Sequence, residues 1–136
     1  MIVDTSALIA ILLRESGADT LLNAIANEGG LLPSPARVEY LRVASGDRVG
    51  LGNEAATLLE RFERLNLETV AFTSAHARIA SEANLRFGKG IAPGGALNLL
   101  DLMVYAVAKE RGEPLLCTGH DFAATDLVIH PASRVG

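Results

Sequence analysis

The chain opens on MIVDTSAL (residues 1–8), where a short apolar run ends at an acidic residue. The run Met1-Ile2-Val3 has the character of a short buried strand, and Asp4 closes it. Carboxylates are seldom buried without a partner or a role, so an acid in this place requires an explanation. Asp4 either caps the helix that follows or serves as a functional carboxylate.

Further apolar runs alternate with helical patterns along the chain. They predict strands at residues 31–32, 67–72 and 115–117, with a fifth and weaker candidate at 127–129. Between them, apolar spacing and punctuation predict helices at residues 7–13, 17–26, 53–65, 73–87 and 98–111, and another from residue 34. The expected N-caps are Ser6, Ser34, Thr73 or Ser74, and Asn98.

This alternation predicts an α/β fold. Strand–helix–strand crossovers give a mostly parallel sheet of four or five short strands, with helices on both of its faces. No linker, repeat or low-complexity tract interrupts the chain, so we expect one domain over residues 1–136. In such sheets, binding sites form beyond the carboxyl ends of the strands, where the strand order reverses.

Composition excludes several classes of protein. The single cysteine, Cys117, rules out a disulfide framework or a cysteine zinc site, and its apolar neighbours indicate a buried thiol. No apolar run approaches the roughly 20 residues of a membrane span, and no signal peptide is evident, so we expect a cytoplasmic protein without membrane contact. The net charge of −4 disfavours nucleic acid, unless some of the acids bind a cation.

Four acids stand near predicted element ends that could share one edge of the sheet: Asp4, Glu39, Asp101 and Asp121. Mg²⁺ prefers oxygen ligands and takes one or two carboxylates directly. A metal held by such a cluster can activate a water and stabilise a phosphoryl displacement. Without a cation, gathered carboxylates would repel one another and bind protons.

Each acid also has a structural alternative. Asp4 can cap a helix, and Asp101 at the third position of its helix can favour the helix dipole. Glu39 can pair with Arg42 on an exposed helix face, and Asp121 can cap a turn.

In four places the chain resembles the PIN-domain family, specifically its VapC-type toxins. The matching segments are Met1 to Leu8, Ser34 to Glu39, Phe87 to Gly90 with Leu97 to Asp101, and Leu115 to Phe122 with Thr125-Asp126. Any one segment is weakly diagnostic, whereas four in order at this chain length are a strong signal.

The resemblance implies a PIN fold and a metal-dependent endoribonuclease that acts on RNA, often structured RNA such as tRNA. It implies Asp4, Glu39, Asp101 and Asp121 as the acidic cluster, with Mg²⁺ or Mn²⁺ on Asp4, Asp101 and Asp121. It also implies a VapB-like antitoxin partner and a homodimer.

Other polar residues are candidates for supporting roles. Thr5, Ser6, Thr118 and Asp126 are expected around the metal ligands, and Lys89 and Arg42 are candidates for contact with RNA phosphates. Two alternatives use the same acids differently. One is a catalytically silent PIN-fold binding module, for which the departure Leu99-Leu100 leaves room, and the other is a receiver-like phosphoacceptor, which lacks the expected Lys after residue 117.

Overall fold

Short strands and helices alternate along residues 1–134, the part of the chain that this computed structural model describes. In chain order the elements are β1 (Ile2–Val3), α1 (Thr5–Leu12), α2 (Ala18–Glu28), β2 (Gly30–Pro33), α3 (Ser34–Ser45), α4 (Gly52–Arg64), β3 (Leu67–Val70), α5 (Ser74–Phe87), α6 (Leu99–Arg111) and β4 (Leu115–Leu116). The alternation expected from the apolar runs is therefore confirmed.

The strands form one sheet in the order β3-β2-β1-β4, and every pair is parallel. Ile2 of β1 is in register with Leu31 on one side and Leu115 on the other. The predicted α/β class is confirmed, because a parallel sheet needs helical crossovers between its strands. The chain builds outward from β1 to β2 and β3, then returns to place β4 on the opposite side of β1.

The fifth strand expected at residues 127–129 is absent from the described part of the chain. Instead, single parallel bridges join Leu115 to Ile129 and Thr118 to Arg134. Turns lie on both sides of Ile129 in the segment that follows β4. The hydrogen bonding at the bridge between Leu115 and Ile129 therefore does not extend into a ladder.

Two predicted helix caps were wrong. Helix α1 begins at Thr5 and its N-cap is Asp4, whose carboxylate accepts a hydrogen bond from the Ser6 N–H, so Ser6 is not the cap. Helix α3 already includes Ser34, with Pro33 at the N-cap and Pro35 in the first turn. The predictions of Thr73 and Asn98 were confirmed, since each side chain accepts a main-chain hydrogen bond from its third helical residue.

The core packs helices on the sheet and encloses β1 and β4 completely. Ile2, Val3, Leu115 and Leu116 are fully buried, and Cys117 is 1% exposed, as the sequence predicted. Burial raises the pKa of the Cys117 thiol to about 12, which keeps it protonated and unreactive. Within residues 1–134, no helix combines the length and apolar character that crossing a membrane requires.

Candidate active site

The strand order reverses at β1, which lies between β2 and β4. In open parallel sheets, this reversal leaves a crevice at the carboxyl ends of the two strands that part there. Asp4 follows β1 directly, and Thr118 comes two residues after β4. The sequence thus brings an acid from the first residues of the chain and a loop from its last third to one crevice.

Asp4 is 5% exposed and is held by its own helix. Its Oδ2 accepts hydrogen bonds from the Ser6 N–H at 3.1 Å and from the Ser6 Oγ at 2.6 Å. The same Ser6 Oγ accepts a bond from the main-chain N–H of Thr118 at 3.0 Å, so a chain of contacts runs from β4 to Asp4. Ser6 and Thr118 therefore fix the carboxylate, although Thr118 acts through its main chain and not through the hydroxyl that the sequence suggested.

The other oxygen of Asp4 is free of these bonds. Among residues 1–134, no hydrogen bond uses Oδ1, and no buried side-chain oxygen lacks a partner. Oδ1 must then keep some contact with solvent, despite the burial of the residue. Burial raises the pKa of the Asp4 carboxyl, with the hydrogen bonds from Ser6 acting in the opposite direction and the charge of Glu39 adding to the rise.

Thr5 connects α1 to the helix that carries Glu39. Its hydroxyl donates to the main-chain oxygen of Ala36 at 3.2 Å, and this bond is buried. Glu39 lies three residues further along α3, about one turn from Ala36, and is partly exposed. No ion pair joins Glu39 to Arg42 within the described chain, so the structural alternative for Glu39 lacks its partner.

Asp101 is positioned by a reciprocal cap at the start of α6. Its Oδ2 accepts from the Asn98 N–H at 3.1 Å, while its own N–H donates to Asn98 Oδ1 at 2.9 Å. The sequence placed both residues but did not identify this mutual bonding, which an Asn three positions before an acid favours. The structural alternative for Asp101 thus holds in part, because the side chain does stabilise its helix.

The charges of the other three acids act on Asp101. Burial raises the pKa of Asp101 to about 7, and the negative charges of Asp4, Asp121 and Glu39 contribute to the rise. Such an influence requires proximity, so Asp4, Glu39 and Asp121 lie in the region around Asp101. Within residues 1–134, however, no three His, Cys, Asp or Glu side chains converge tightly enough to surround one metal ion.

The donor set still fits a hard divalent cation. Mg²⁺ commonly takes one or two carboxylates directly and keeps several waters, so a tight three-residue cage is unnecessary. Asp4 has a free oxygen, and Asp101 uses only Oδ2 in the bonds of the described chain. A cation would also relieve the repulsion that raises the pKa of Asp101.

Asp126 does not join these acids. Its carboxylate accepts from the Tyr105 hydroxyl at 2.7 Å and from Lys109 Nζ at 2.8 Å, and Arg86 Nη1 lies 3.9 Å away. These contacts lower the pKa of Asp126, with the hydrogen bond from Lys109 as the largest cause. The residue therefore links the C-terminal loop to α6, and its expected place around the metal ligands stays a prediction.

The two candidate RNA contacts differ in position. Lys89 lines a groove of about 390 Å³ between α5 and α6, together with Asn98, the residue that caps the helix of Asp101. Arg42 is exposed in the last turn of α3. Of the two candidates, Lys89 thus shares its groove with Asn98, which is hydrogen-bonded to Asp101 of the acidic cluster.

Comparison with known proteins identifies the family that has this fold. The family model for the PIN domain matches residues 1–127. The chain belongs to the PIN-domain family. Its sequence is 37% identical to Ribonuclease VapC42 of Mycobacterium tuberculosis, covering 97% of this chain and 98% of that protein. It is 36% identical to a VapC ribonuclease of Rhizobium meliloti, over 92% of this chain and 97% of the relative.

Solved structures share the PIN fold at low sequence identity. The sarcin–ricin loop cleaving toxin VapC20 of Mycobacterium tuberculosis matches with a TM-score of 0.74 at 16% identity, over 93% of this chain and 95% of that one. A toxin–antitoxin complex from Klebsiella pneumoniae matches with a TM-score of 0.71 at 17% identity, over 96% of each chain. The resemblance of this PIN domain to VapC-type toxins is confirmed, and the phosphoacceptor alternative is excluded.

Proposed function

We propose that this PIN-domain protein is a metal-dependent endoribonuclease and the toxin of a type II toxin–antitoxin pair. The single observation that supports it best is the position of the buried Asp4 at the switch point of the sheet, where its charge and those of Glu39 and Asp121 contribute to the raised pKa of Asp101. Its relatives at 36–38% identity are VapC ribonucleases. A catalytically silent binding module is not favoured, because those relatives are enzymes and all four acids are present.

The residues divide into ligands and a base. Asp4, through its free Oδ1, Asp101 and Asp121 would hold Mg²⁺ or Mn²⁺, with Ser6 and the Thr118 N–H orienting Asp4. When bound, the cation would activate a water and offset the charge of the leaving oxygen. Glu39 has no hydrogen bond to another described side chain, so its carboxylate is free to accept a proton from the attacking water. Lys89 would contact a substrate phosphate from the adjacent groove.

The experiment is cleavage of labelled RNA with Mg²⁺, with Mn²⁺ and with EDTA. We expect cleavage with either metal, none in EDTA, and a large loss in the Asp101→Asn variant, which retains an oxygen that can accept from the Asn98 N–H. Metal-independent cleavage, or undiminished cleavage by Asp101→Asn, would discard the assignment.

For the substrate, we propose structured RNA such as tRNA, on the strength of the resemblance to VapC-type toxins. A ribosomal sarcin–ricin loop is the competing substrate, because the structurally similar VapC20 cleaves one. Sequencing of cleaved RNA ends after brief expression separates the two, since the cuts would lie in tRNA or in ribosomal RNA.

For partners, we propose a VapB-like antitoxin and a homodimer, in the cytoplasm. Several large apolar side chains are exposed on the surface, and such residues are frequent in protein interfaces when they cluster. They are Leu13, Val38, Val43, Leu85, Ile91, Leu99 and Val128. Light scattering of the purified chain, alone and after co-expression with the product of a neighbouring short gene, measures both associations.

A further inference from the structure

A small cleft lies beside Asp121 and shares no lining residue with the Lys89 groove. It measures about 140 Å³ and is lined by Arg86, Phe87, Pro93, Ala96, Asp121 and Ala124. Its walls come from the end of α5, the loop that follows, and the turn that carries Asp121. One of the four acids of the candidate active site thus also borders a cavity to which that site assigns no role.

A glycine shapes one wall of the cleft. A Cβ at Gly95 would overlap the carbonyl oxygen of Gly88, so the two ends of the loop pack backbone against backbone. Hydrogen bonds from the Lys89 N–H to the Leu97 oxygen and from the Leu97 N–H to the Phe87 oxygen, at 2.9 and 3.1 Å, close the loop. The wall is therefore built of a fixed turn and not of long side chains that would fill the space.

The same wall presents unused polar groups. Within residues 1–134, no hydrogen bond uses the N–H of Gly94 or Ala96, or the carbonyl oxygens of residues 93–96. Backbone donors and acceptors that border a cavity are suited to hydrogen bonding with the edge of a planar heterocycle.

Arg86 supplies a flat cationic surface at the cleft. Its guanidinium carbon lies 4.7 Å from the centre of the Phe87 ring, and that ring packs on Tyr105 at 5.5 Å. The side chain is 60% exposed, and its only ion-pair partner in the described chain, Asp126, is 3.9 Å away. Phe87 covers one face of the guanidinium, so the opposite face is available for stacking, and Arg planes stack on nucleobases.

The volume limits what can enter. A cavity of about 150 Å³ accommodates a molecule of the size of benzene, so this cleft holds one six-membered ring. We propose that the cleft binds a single pyrimidine base of the RNA strand, next to the phosphate that the acids of the candidate active site address. This inference depends on the proposed ribonuclease function, and Asp121 is the residue that the two sites share.

The test compares Ala124→Leu, which fills the cleft from an exposed turn, with Ala26→Leu, an equal change on the exposed face of α2. Binding of labelled oligouridylate, oligocytidylate and oligoadenylate is followed by fluorescence anisotropy with Ca²⁺ in place of Mg²⁺, and a gel checks that the RNA stays intact. We expect the parent protein to prefer a pyrimidine oligomer, and Ala124→Leu to weaken that binding about tenfold, the scale of one lost base-stacking contact.

Arg86→Lys is the second variant, because it keeps the positive charge and removes the planar guanidinium group. This variant should bind the pyrimidine oligomer more weakly than the parent protein does, while the salt dependence of binding stays the same. Equal affinities of Ala124→Leu and Ala26→Leu for the pyrimidine oligomers, or no preference of the parent for pyrimidines, would overturn the base site. If the parent cleaves RNA with Mg²⁺ in either case, the proposed function survives; if it neither cleaves nor binds any oligomer, both fail.

Discussion

Asp101 lies in the first turn of α6 and Asp126 in a loop that contacts the same helix, and the surroundings of these two carboxylates are opposite. Asp126 forms an ion pair with Lys109 and accepts a hydrogen bond from the Tyr105 hydroxyl, and these contacts lower its pKa. Asp101 lies among three other acids, and its pKa is raised to about 7. Within residues 1–134, Asp126 forms an ion pair, whereas none of Asp4, Glu39, Asp101 and Asp121 does. The difference indicates which acids stabilise the fold and which are available for a ligand.

The largest expected effect is loss of cleavage in Asp4→Asn. Removing the buried negative charge should lower RNA cleavage at least about a hundredfold, because the electrostatic contribution of a metal site amounts to several kcal/mol. The fold should persist, since an amide oxygen can still accept from the Ser6 N–H. Cleavage rates and circular dichroism of Asp4→Asn and Asp126→Asn measure the contrast, which fails if the two variants lose equal activity.

A smaller loss is expected from Ser6→Ala. The substitution removes the bridge between the Thr118 N–H and Asp4, and loss of a residue that orients a metal ligand typically costs about 10- to 100-fold in affinity or activity. A metal titration of cleavage should show a higher concentration at half-activity, with partial recovery at excess metal. Ser16→Ala, at an exposed serine, is the control. Equal titration curves for the two variants would show that the bridge has no effect on the site.

The pH dependence of stability should differ between the two regions. Because the pKa of Asp101 is about 7 in the folded state and 3.8 is the ordinary value, folding takes up a proton between these limits. Without metal, stability should therefore fall as pH rises from about 4 to 7 and change little beyond.

The size of this change should be about 1–2 kcal/mol, less than the full shift implies, because the side chain is partly exposed. Urea unfolding of the parent protein and of Asp101→Asn at several pH values isolates the contribution, since the variant cannot titrate there. Mg²⁺ or Mn²⁺ should remove the difference by replacing the proton. If the difference in unfolding free energy between the two proteins stayed constant across this pH range, the raised pKa of Asp101 would be contradicted.

The smallest effect is expected at Asp126→Asn. It loses a partly exposed ion pair with Lys109 and weakens one hydrogen bond, so stability should fall by about 1 kcal/mol. RNA cleavage should change little, because the contacts of Asp126 are with α6 and not with the other acids. Thermal unfolding in low and high salt measures the loss of stability. A large loss of cleavage would show that Asp126 contributes to the candidate active site.

The sequence was most informative where a property depends on near neighbours. Short apolar runs located β1 to β4, and the cap at Asn98 placed Asp101 at the start of α6, because both depend on residues close in the chain. Residue 4 and residue 121 follow parallel strands or their loops, so their common edge was also predictable.

Contacts between distant segments were less accessible. The cap of α1 was assigned to Ser6, because the sequence did not show that the helix already begins at Thr5, with the Asp4 carboxylate accepting from the Ser6 N–H. The ion pair of Asp126 with Lys109 and the bond from the Thr118 N–H to Ser6 join residues 17 and 112 positions apart. The spacing of the four acids depends on how helices pack on the sheet, which residue types alone do not determine.

The bond between Ser6 and Thr118 also bears on when the proposed site can form during synthesis. Because β1 lies between β2 and β4, its second neighbour is made only when translation passes residue 116. Until then the growing polypeptide contains Asp4 without its support from β4, and Asp121 has not yet been added. Ribosomes add about 5–20 residues per second, so the proposed site stays incomplete for most of the elongation time. A product that terminates before this point lacks both β4 and Asp121, so it cannot assemble the proposed site.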